Sequence, residues 1–268
     1  MKTITLRSGA VGLALALVAA CGGGADDTPQ AEETAAAATE TAAGGETTGS
    51  EGYTVVDVTN GGTITGTVRF VGTVPPPRTV TVDENTETCG ESQQLQPIRV
   101  GANGGLANAV VSLVDITSGA SLVATSPPTL DQNGCQFVPH VLLAPVGQAV
   151  HVLNSDPLTH NVHTAAFENR PVNRSQPAGV RKIELSFRFP EKVRVRCDMH
   201  DWMGAWIAVV DHPYNAITDE AGSFVLENVP PGTYTLEIWH ETLGSNTQSV
   251  TVAAGQATDA SVELAQQE

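Results

Sequence analysis

Short runs of Val, Ile and Thr recur from Tyr53 to the C-terminal end and are separated by clusters of Gly and Pro. Runs of this length, bounded by turn residues, are typical of β-strands, and no stretch keeps a helical period. Short strands at this spacing favour two-layered sandwiches. The pattern therefore predicts an all-β fold for residues 53–268.

The N-terminal segment has the features of an export signal. Positive charges at Lys2 and Arg7 precede the apolar run 9–20, which is too short to span a bilayer. The sequence VAACG at Val18–Gly22 resembles a bacterial lipobox. That resemblance implies a signal peptide at 1–20 and a lipid on Cys21; the alternative is an ordinary cleaved signal with Cys21 unmodified.

Residues 21–52 consist mainly of Gly, Ala, Thr and Glu and contain no Lys or Arg. Such a composition predicts a disordered acidic linker, because it offers little apolar surface to bury. We expect a protein of the cell envelope, anchored to the membrane only through its lipid and facing the periplasm or the cell surface. A net charge of -16 argues against a nucleic-acid partner.

The segment CDMHDWM contains Cys197, His200 and Met203 at the spacing Cys-x2-His-x2-Met. A thiolate, an imidazole and a weak thioether are three of the four ligands of a type 1 copper site. The fourth is expected to be a His from another loop. His160 is favoured over His163, because alternation along a strand places His160 on the same face as the apolar Val162.

The four cysteines leave one thiol unpaired if Cys21 carries a lipid. Cys89 and Cys135 lie in turn-like contexts and form a candidate disulfide, which leaves Cys197 free. Two alternatives are that both are free thiols, or that Cys135 and His140 hold a soft metal. A purely structural role is the alternative for Cys197.

Val141–His163 and Cys197–Met203 together resemble the cupredoxins, and amicyanin most of all. The resemblance implies a Greek-key sandwich with one type 1 copper ion, held equatorially by His160, Cys197 and His200 and axially by Met203. It also implies that Asn161 links the two ligand loops by hydrogen bonds. The imidazole edge of His200 is then expected at the surface. Trp202 and Trp206 would surround that edge as a small docking patch, unless both rings belong to the core.

Thr218–Phe224 (TDEAGSF) and Val229–Tyr234 (VPPGTY) resemble the carboxypeptidase regulatory-like, transthyretin-related β-sandwich. Thr63–Val68 and Leu106–Leu113 are similar to its first two strands. We therefore expect an N-terminal β region at 53–128, a cupredoxin-like copper module at 129–211 and a regulatory-like sandwich at 212–268. Either the copper module is inserted into a discontinuous sandwich, or the two domains follow in tandem.

These features favour a copper-binding electron-transfer lipoprotein with a weak, transient redox partner. A non-redox protein for copper storage or delivery would use the same ligands. A structural or carbohydrate-binding surface protein is a further alternative. We do not expect an enzyme, because a Cys197–His200 nucleophile pair would not require Met203 and no oxyanion element is evident.

Overall fold

The computed structural model describes residues 52–266. The predicted signal peptide, the lipidation site Cys21 and the predicted linker up to residue 51 lie outside the described residues.

The described elements are nearly all strands, which confirms the all-β prediction. They are β1 (Thr54–Val55), β2 (Gly62–Val71), β3 (Arg78–Thr81), α1 (Thr86–Cys89), β4 (Ser92–Leu95), a 3-10 turn (Ala102–Gly104), β5 (Val110–Leu113), β6 (Ser118–Gly119), β7 (Thr129–Gln132), β8 (Phe137–Val138), β9 (Val141–Pro145), β10 (Ala149–Asn154), β11 (His160–Ala165), β12 (Asn173–Gln176), β13 (Lys182–Ser186), β14 (Glu191–Arg196), β15 (Gly204–Val210), β16 (Asn215–Ile217), β17 (Ser223–Val229), β18 (Gly232–His240), β19 (Gly244–Val252), β20 (Ala257–Asp259) and β21 (Val262–Ala265).

Strands β7 to β15, residues 129–210, form a two-layered unit that we call the inserted sandwich. One sheet has the order β13-β10-β7-β8 and the other has the order β12-β11-β14-β15-β9. Strand β14 illustrates why the sequence of this unit forms strands. Val193 and Val195 are buried, while Arg194 and Arg196 are exposed. This alternation aims apolar side chains at the core and charges at water. The strand also delivers the next residue, Cys197, to the inside.

A second unit, which we call the split sandwich, takes strands from both sides of the inserted one. Its sheets have the orders β16-β5-β18-β19 and β17-β2-β20, with β21 also on β2. Strand β2 pairs with β17 through Thr65 and Val225, and β5 pairs with β18 through Val111 and Ile238. Because β2 and β5 precede residue 129 and their partners follow residue 214, the pairing is that of an insertion and not of a tandem.

The two sandwiches meet along β9, β15, β5 and β18. Val110, Val141 and Ala208 form a small buried cluster there, and the rings of Trp206 and Trp239 meet edge-to-face with centroids 4.9 Å apart. The Trp206 indole N–H also donates to Glu241 Oε2 at 2.7 Å. Trp206 therefore belongs to this junction, and the suggested docking patch does not include it.

The segment 78–95 lies in the N-terminal β region expected at 53–128 but does not join the split sandwich. Strands β3 and β4 form a separate two-stranded sheet, and α1 lies between them. Val82 and Cys89 pack in the core of the inserted sandwich, and a disulfide joins Cys89 to Cys135 with a Cα–Cα distance of 5.1 Å. This capping segment, Arg78–Leu95, thus lies on the inserted sandwich. Among the described residues no helix is long and apolar enough to cross a membrane.

Candidate metal centre

The four predicted ligands lie at one end of the inserted sandwich. His160 is the first residue of β11 and Cys197 directly follows β14. His200 and Met203 lie in the turn that returns the chain to β15. The turn is closed by backbone hydrogen bonds from Met203 N–H to the His200 carbonyl at 2.9 Å and from Cys197 N–H to the Met203 carbonyl at 3.2 Å. Their exposed fractions are 0% for His160, 2% for Cys197, 5% for His200 and 2% for Met203.

Three donor atoms converge. His160 Nδ1 lies 3.0 Å from His200 Nδ1 and 4.0 Å from Cys197 Sγ, and His200 Nδ1 lies 3.7 Å from the same sulfur. A triangle with these sides has a circumscribed radius of about 2.1 Å, within the ~2.0–2.3 Å that imidazole nitrogen and thiolate sulfur keep from a zinc ion. These three donor atoms could therefore hold one soft or borderline ion.

Met203 completes the predicted set by position. It belongs to the same buried cluster as Cys197, and its backbone is hydrogen-bonded to both Cys197 and His200. A soft thiolate, two imidazoles and a thioether form the donor set of type 1 copper sites. Sequence reasoning thus identified residues that the fold brings together although His160 and Cys197 are 37 residues apart in the chain.

Asp156 is a contact of the centre that sequence reasoning missed. Its Oδ2 accepts a hydrogen bond from His160 Nε2–H at 2.8 Å, and the side chain is 4% exposed. This contact fixes the tautomer, so that Nδ1 is free to bind an ion. Such carboxylate–histidine pairs orient metal ligands and raise their basicity. The i,i+4 spacing of Asp156 and His160 was the available signal.

Asn161 links the two ligand loops, as the resemblance implied. Its Oδ1 accepts the backbone N–H of Asp198 at 2.6 Å, and its amide donates to Asn173 Oδ1 at 2.7 Å. Asp198 follows Cys197 directly, so the residues next to His160 and Cys197 are bonded to each other.

The alternative ligands lie elsewhere. His163 projects to the outer face of β11, where its Nδ1 lies 2.9 Å from Asp198 Oδ1. This contact, followed by that of Asn173, holds the pKa of the Asp198 carboxyl below its usual range. His140 contacts Glu241, and Cys135 is in the disulfide. The alternative soft-metal site of Cys135 and His140 is therefore wrong.

The expected surface edge of His200 is also wrong. The Trp202 ring lies 5.1 Å from the His200 ring, and the Cys89 and Cys135 sulfurs lie within 4.8 Å of a His200 nitrogen. Burial, and then the proximity of His160, lower the pKa of His200 below the ordinary value. The neutral imidazole, which is the metal-binding form, is thereby favoured.

Two comparisons with known proteins found similarities, one to a family model and one to solved structures. Residues 203–265 match the model of the carboxypeptidase regulatory-like domain. The match begins at Met203, directly before β15, and includes all strands of the C-terminal part of the split sandwich, β16 to β21. No curated protein matches the chain.

Solved structures similar to this chain are copper proteins. A copper-containing nitrite reductase from Thermus scotoductus is 24% identical over 37% of this chain and 25% of its own, with a TM-score of 0.30. A purple cupredoxin from Nitrosopumilus maritimus is 19% identical over 31% and 98%, with a TM-score of 0.27. A mutant amicyanin in its Cu(I) form is 18% identical over 37% and 98%, with a TM-score of 0.29. This chain thus spans a quarter of the reductase.

Proposed function

We propose that this protein binds one type 1 copper ion through His160, Cys197, His200 and Met203 and carries single electrons. The triangle formed by the two Nδ1 atoms and the Cys197 sulfur carries the proposal, because its size suits one ion. A copper ion bound there would supply reversible one-electron chemistry.

The protein's own part in that role is to hold the donors still. Asp156 fixes the His160 ring, and the Asn161–Asp198 bond fixes one ligand loop against the other. Donor groups that keep their places in both oxidation states favour fast electron transfer. Burial of all four side chains keeps water and substrates away, which supports electron transfer rather than catalysis.

Copper loading followed by visible spectroscopy tests the proposal. We expect an intense thiolate-to-Cu(II) band that is lost in Cys197→Ser. The matched control is His163→Gln, which alters an imidazole three residues from His160 but outside the donor set and should keep the band. A colourless copper-loaded wild type, or a band that survives in Cys197→Ser, would refute a type 1 site.

Copper storage or delivery is a second candidate, and the burial of His200 favours it. Electron partners approach a metal most closely through an exposed ligand edge, and here that edge is covered by Trp202 and the disulfide. The electron self-exchange rate separates the two functions. Fast exchange supports an electron carrier, whereas slow exchange combined with copper transfer to an apo-acceptor supports delivery.

We also propose that the protein is a lipoprotein of the cell envelope with a transient redox partner. The support is the lipobox-like sequence before Cys21. Cys21→Ala should move the protein from the membrane fraction to the soluble fraction on cell fractionation. An unchanged membrane fraction would count against lipidation at this residue.

A further inference from the structure

The Cys89–Cys135 disulfide lies next to Asp156 and Trp202, which contact the two histidines of the candidate centre. We propose that this disulfide is a positioning element for the metal ligands: through Cys135 it holds His160 by way of Asp156 and His200 by way of Trp202. The inference rests on the proposed copper function. It adds a control by the thiol–disulfide state of Cys89 and Cys135, of which Cys89 lies outside the copper module predicted at 129–211.

The first connection runs through the backbone N–H groups of Gly134 and Cys135. Both residues have left-handed backbones, with φ of 62° and 58°. Their N–H groups donate to Asp156 Oδ1 at 2.7 Å and Oδ2 at 2.9 Å, and the same Oδ2 accepts from His160 Nε2–H. A left-handed backbone is unfavourable for a non-Gly residue, so an external constraint helps Cys135 to keep it.

The second connection starts from the carbonyl of the same residue. Cys135 O accepts the indole N–H of Trp202 at 3.0 Å, and the Trp202 ring packs on His200. The bridge sulfurs themselves lie within 4.8 Å of a His200 nitrogen. The N–H and the carbonyl of Cys135 are therefore bonded to residues that contact the two histidines. Its sulfur lies near His200 itself.

The constraint on Cys135 comes from the capping segment. Cys89 ends α1, and Gln93 Nε2–H donates to the Cys89 carbonyl and, at 3.4 Å, to the Gly134 carbonyl. The Gly134–Cys135 turn also closes the β7–β8 hairpin, where the Asn133 N–H donates to the Gln136 carbonyl at 3.0 Å. The bridge adds a covalent restraint from outside that hairpin, and without it we expect the N–H groups of Gly134 and Cys135 to be held less firmly against Asp156.

The test compares the full chain with Cys89→Ser/Cys135→Ser. Wild type must first show the thiolate–Cu(II) band, and its absence would refute the copper function rather than this inference. Given the band, we expect the double variant to bind Cu(I) ~10-fold or more weakly in competition with a chelator, the usual cost of losing a group that orients a ligand. The reduction potential should shift as well.

A purely structural disulfide gives a different result. It would lower the melting temperature but leave copper affinity and potential unchanged at temperatures where both proteins are folded. Asp156→Asn further distinguishes a positioning disulfide from a purely structural one, because Asn cannot accept hydrogen bonds on both terminal atoms of its side chain. If Cys135 acts through Asp156, the affinity losses in a double-mutant cycle are less than additive. Additive losses would overturn the first connection.

A readout without metal completes the test. Cys197 is buried in the apo-protein, so its alkylation, located by peptide mass, reports how firmly the ligand loop is held. We expect faster alkylation in the double variant than in wild type. Trp202→Phe, which keeps a ring but loses the N–H, should raise the rate in part. Equal rates in all three proteins would overturn the proposal.

Discussion

At the residue scale, the candidate centre depends on polar side chains that fix its ligands as much as on the ligands. Asp156 and Asn161 are both buried, and each joins segments far apart in sequence. A buried polar group is costly when its partner is removed, because it loses its hydrogen bonds to water without replacement. These two residues should therefore be sensitive to substitution.

Asn161→Ala should destabilise the apo-protein by about 1 kcal/mol, the net contribution of a typical hydrogen bond, because the bonds of its side chain are only partly buried. The Asp198 N–H would lose the acceptor that now lies 2.6 Å away. Urea unfolding measures the change, and copper affinity should fall with it. Asn173→Ala is the control, because Asn173 contacts Asn161 from the exposed side; equal losses in both variants would contradict a special role for Asn161.

The inward placement of the candidate ligands was predictable, whereas the positions of their supporting residues were only partly so. Alternation along β11 and β14 identified His160 and Cys197, because a strand has a fixed side-chain period and local sequence reveals its buried face. Asn161 was suggested by resemblance alone. Asp156 was not predicted, because its role depends on the N–H groups of Gly134 and Cys135, which only the folded chain brings to it.

At the element scale too, features set by the local sequence were predictable, whereas features set by contacts between distant segments were not. Most β-strands of both sandwiches were evident in the sequence because their apolar residues alternate or cluster between turn signals, but the short strands β7, β12 and β16 were not. The position of the capping segment was not evident. Its hairpin has few apolar residues, and its contacts with the inserted sandwich depend on Val82 and Cys89. Likewise, the burial of His200 under this segment could not be inferred from the ligand loop.

The turn between β16 and β17 is a tight element of the split sandwich. Asp219 Oδ1 accepts the backbone N–H groups of Ala221 and Ser223 at 2.9 and 2.8 Å. Gly222 has φ of +76°, and a Cβ there would lie 2.3 Å from the Val68 carbonyl oxygen. The turn is therefore pressed against β2, and only glycine fits.

Gly222→Ala should lower the melting temperature much more than Gly244→Ala. Both glycines have left-handed backbones, so both variants incur about 1–2 kcal/mol of backbone strain. Gly244 has φ of +75° and open space around its Cβ position, so only Gly222→Ala adds a collision with backbone. Similar melting temperatures for the two variants would show that β2 moves away at little cost.

At the scale of the whole molecule, the insertion means that the chain leaves and re-enters the split sandwich on either side of the inserted sandwich. The return passes through residues 211–214, between β15 and β16. His212 is buried there, with its ring 5.7 Å from that of Tyr53 and 6.0 Å from that of Tyr214. Tyr53 and Tyr214 belong to the core of the split sandwich, so His212 links the re-entry to that core.

His212 should make the stability of the apo-protein depend on pH. Its Nδ1 accepts the Tyr214 N–H at 3.2 Å and the Asn215 amide at 3.1 Å, contacts that need an unprotonated nitrogen. Burial lowers its pKa below the ordinary 6.5, and Asp211 only partly opposes that shift. Below pH 6.5 the unfolded chain therefore binds more protons than the folded one, so stability is complete above that pH and falls as the pH decreases.

The measurement is urea unfolding of the apo-protein from pH 7.5 to 5.5, compared with His212→Gln. The variant should lose stability less steeply with acid, although its stability at pH 7.5 is lower because the Tyr214 N–H loses an acceptor. Some dependence should remain, because burial also lowers the pKa of His240. Combining His212→Gln with His240→Gln should flatten the profile further. If the unfolding free energy changed equally with pH in wild type and His212→Gln, the segment 211–214 would tolerate a charged imidazole. Its packing would then be looser than the contacts of His212 indicate.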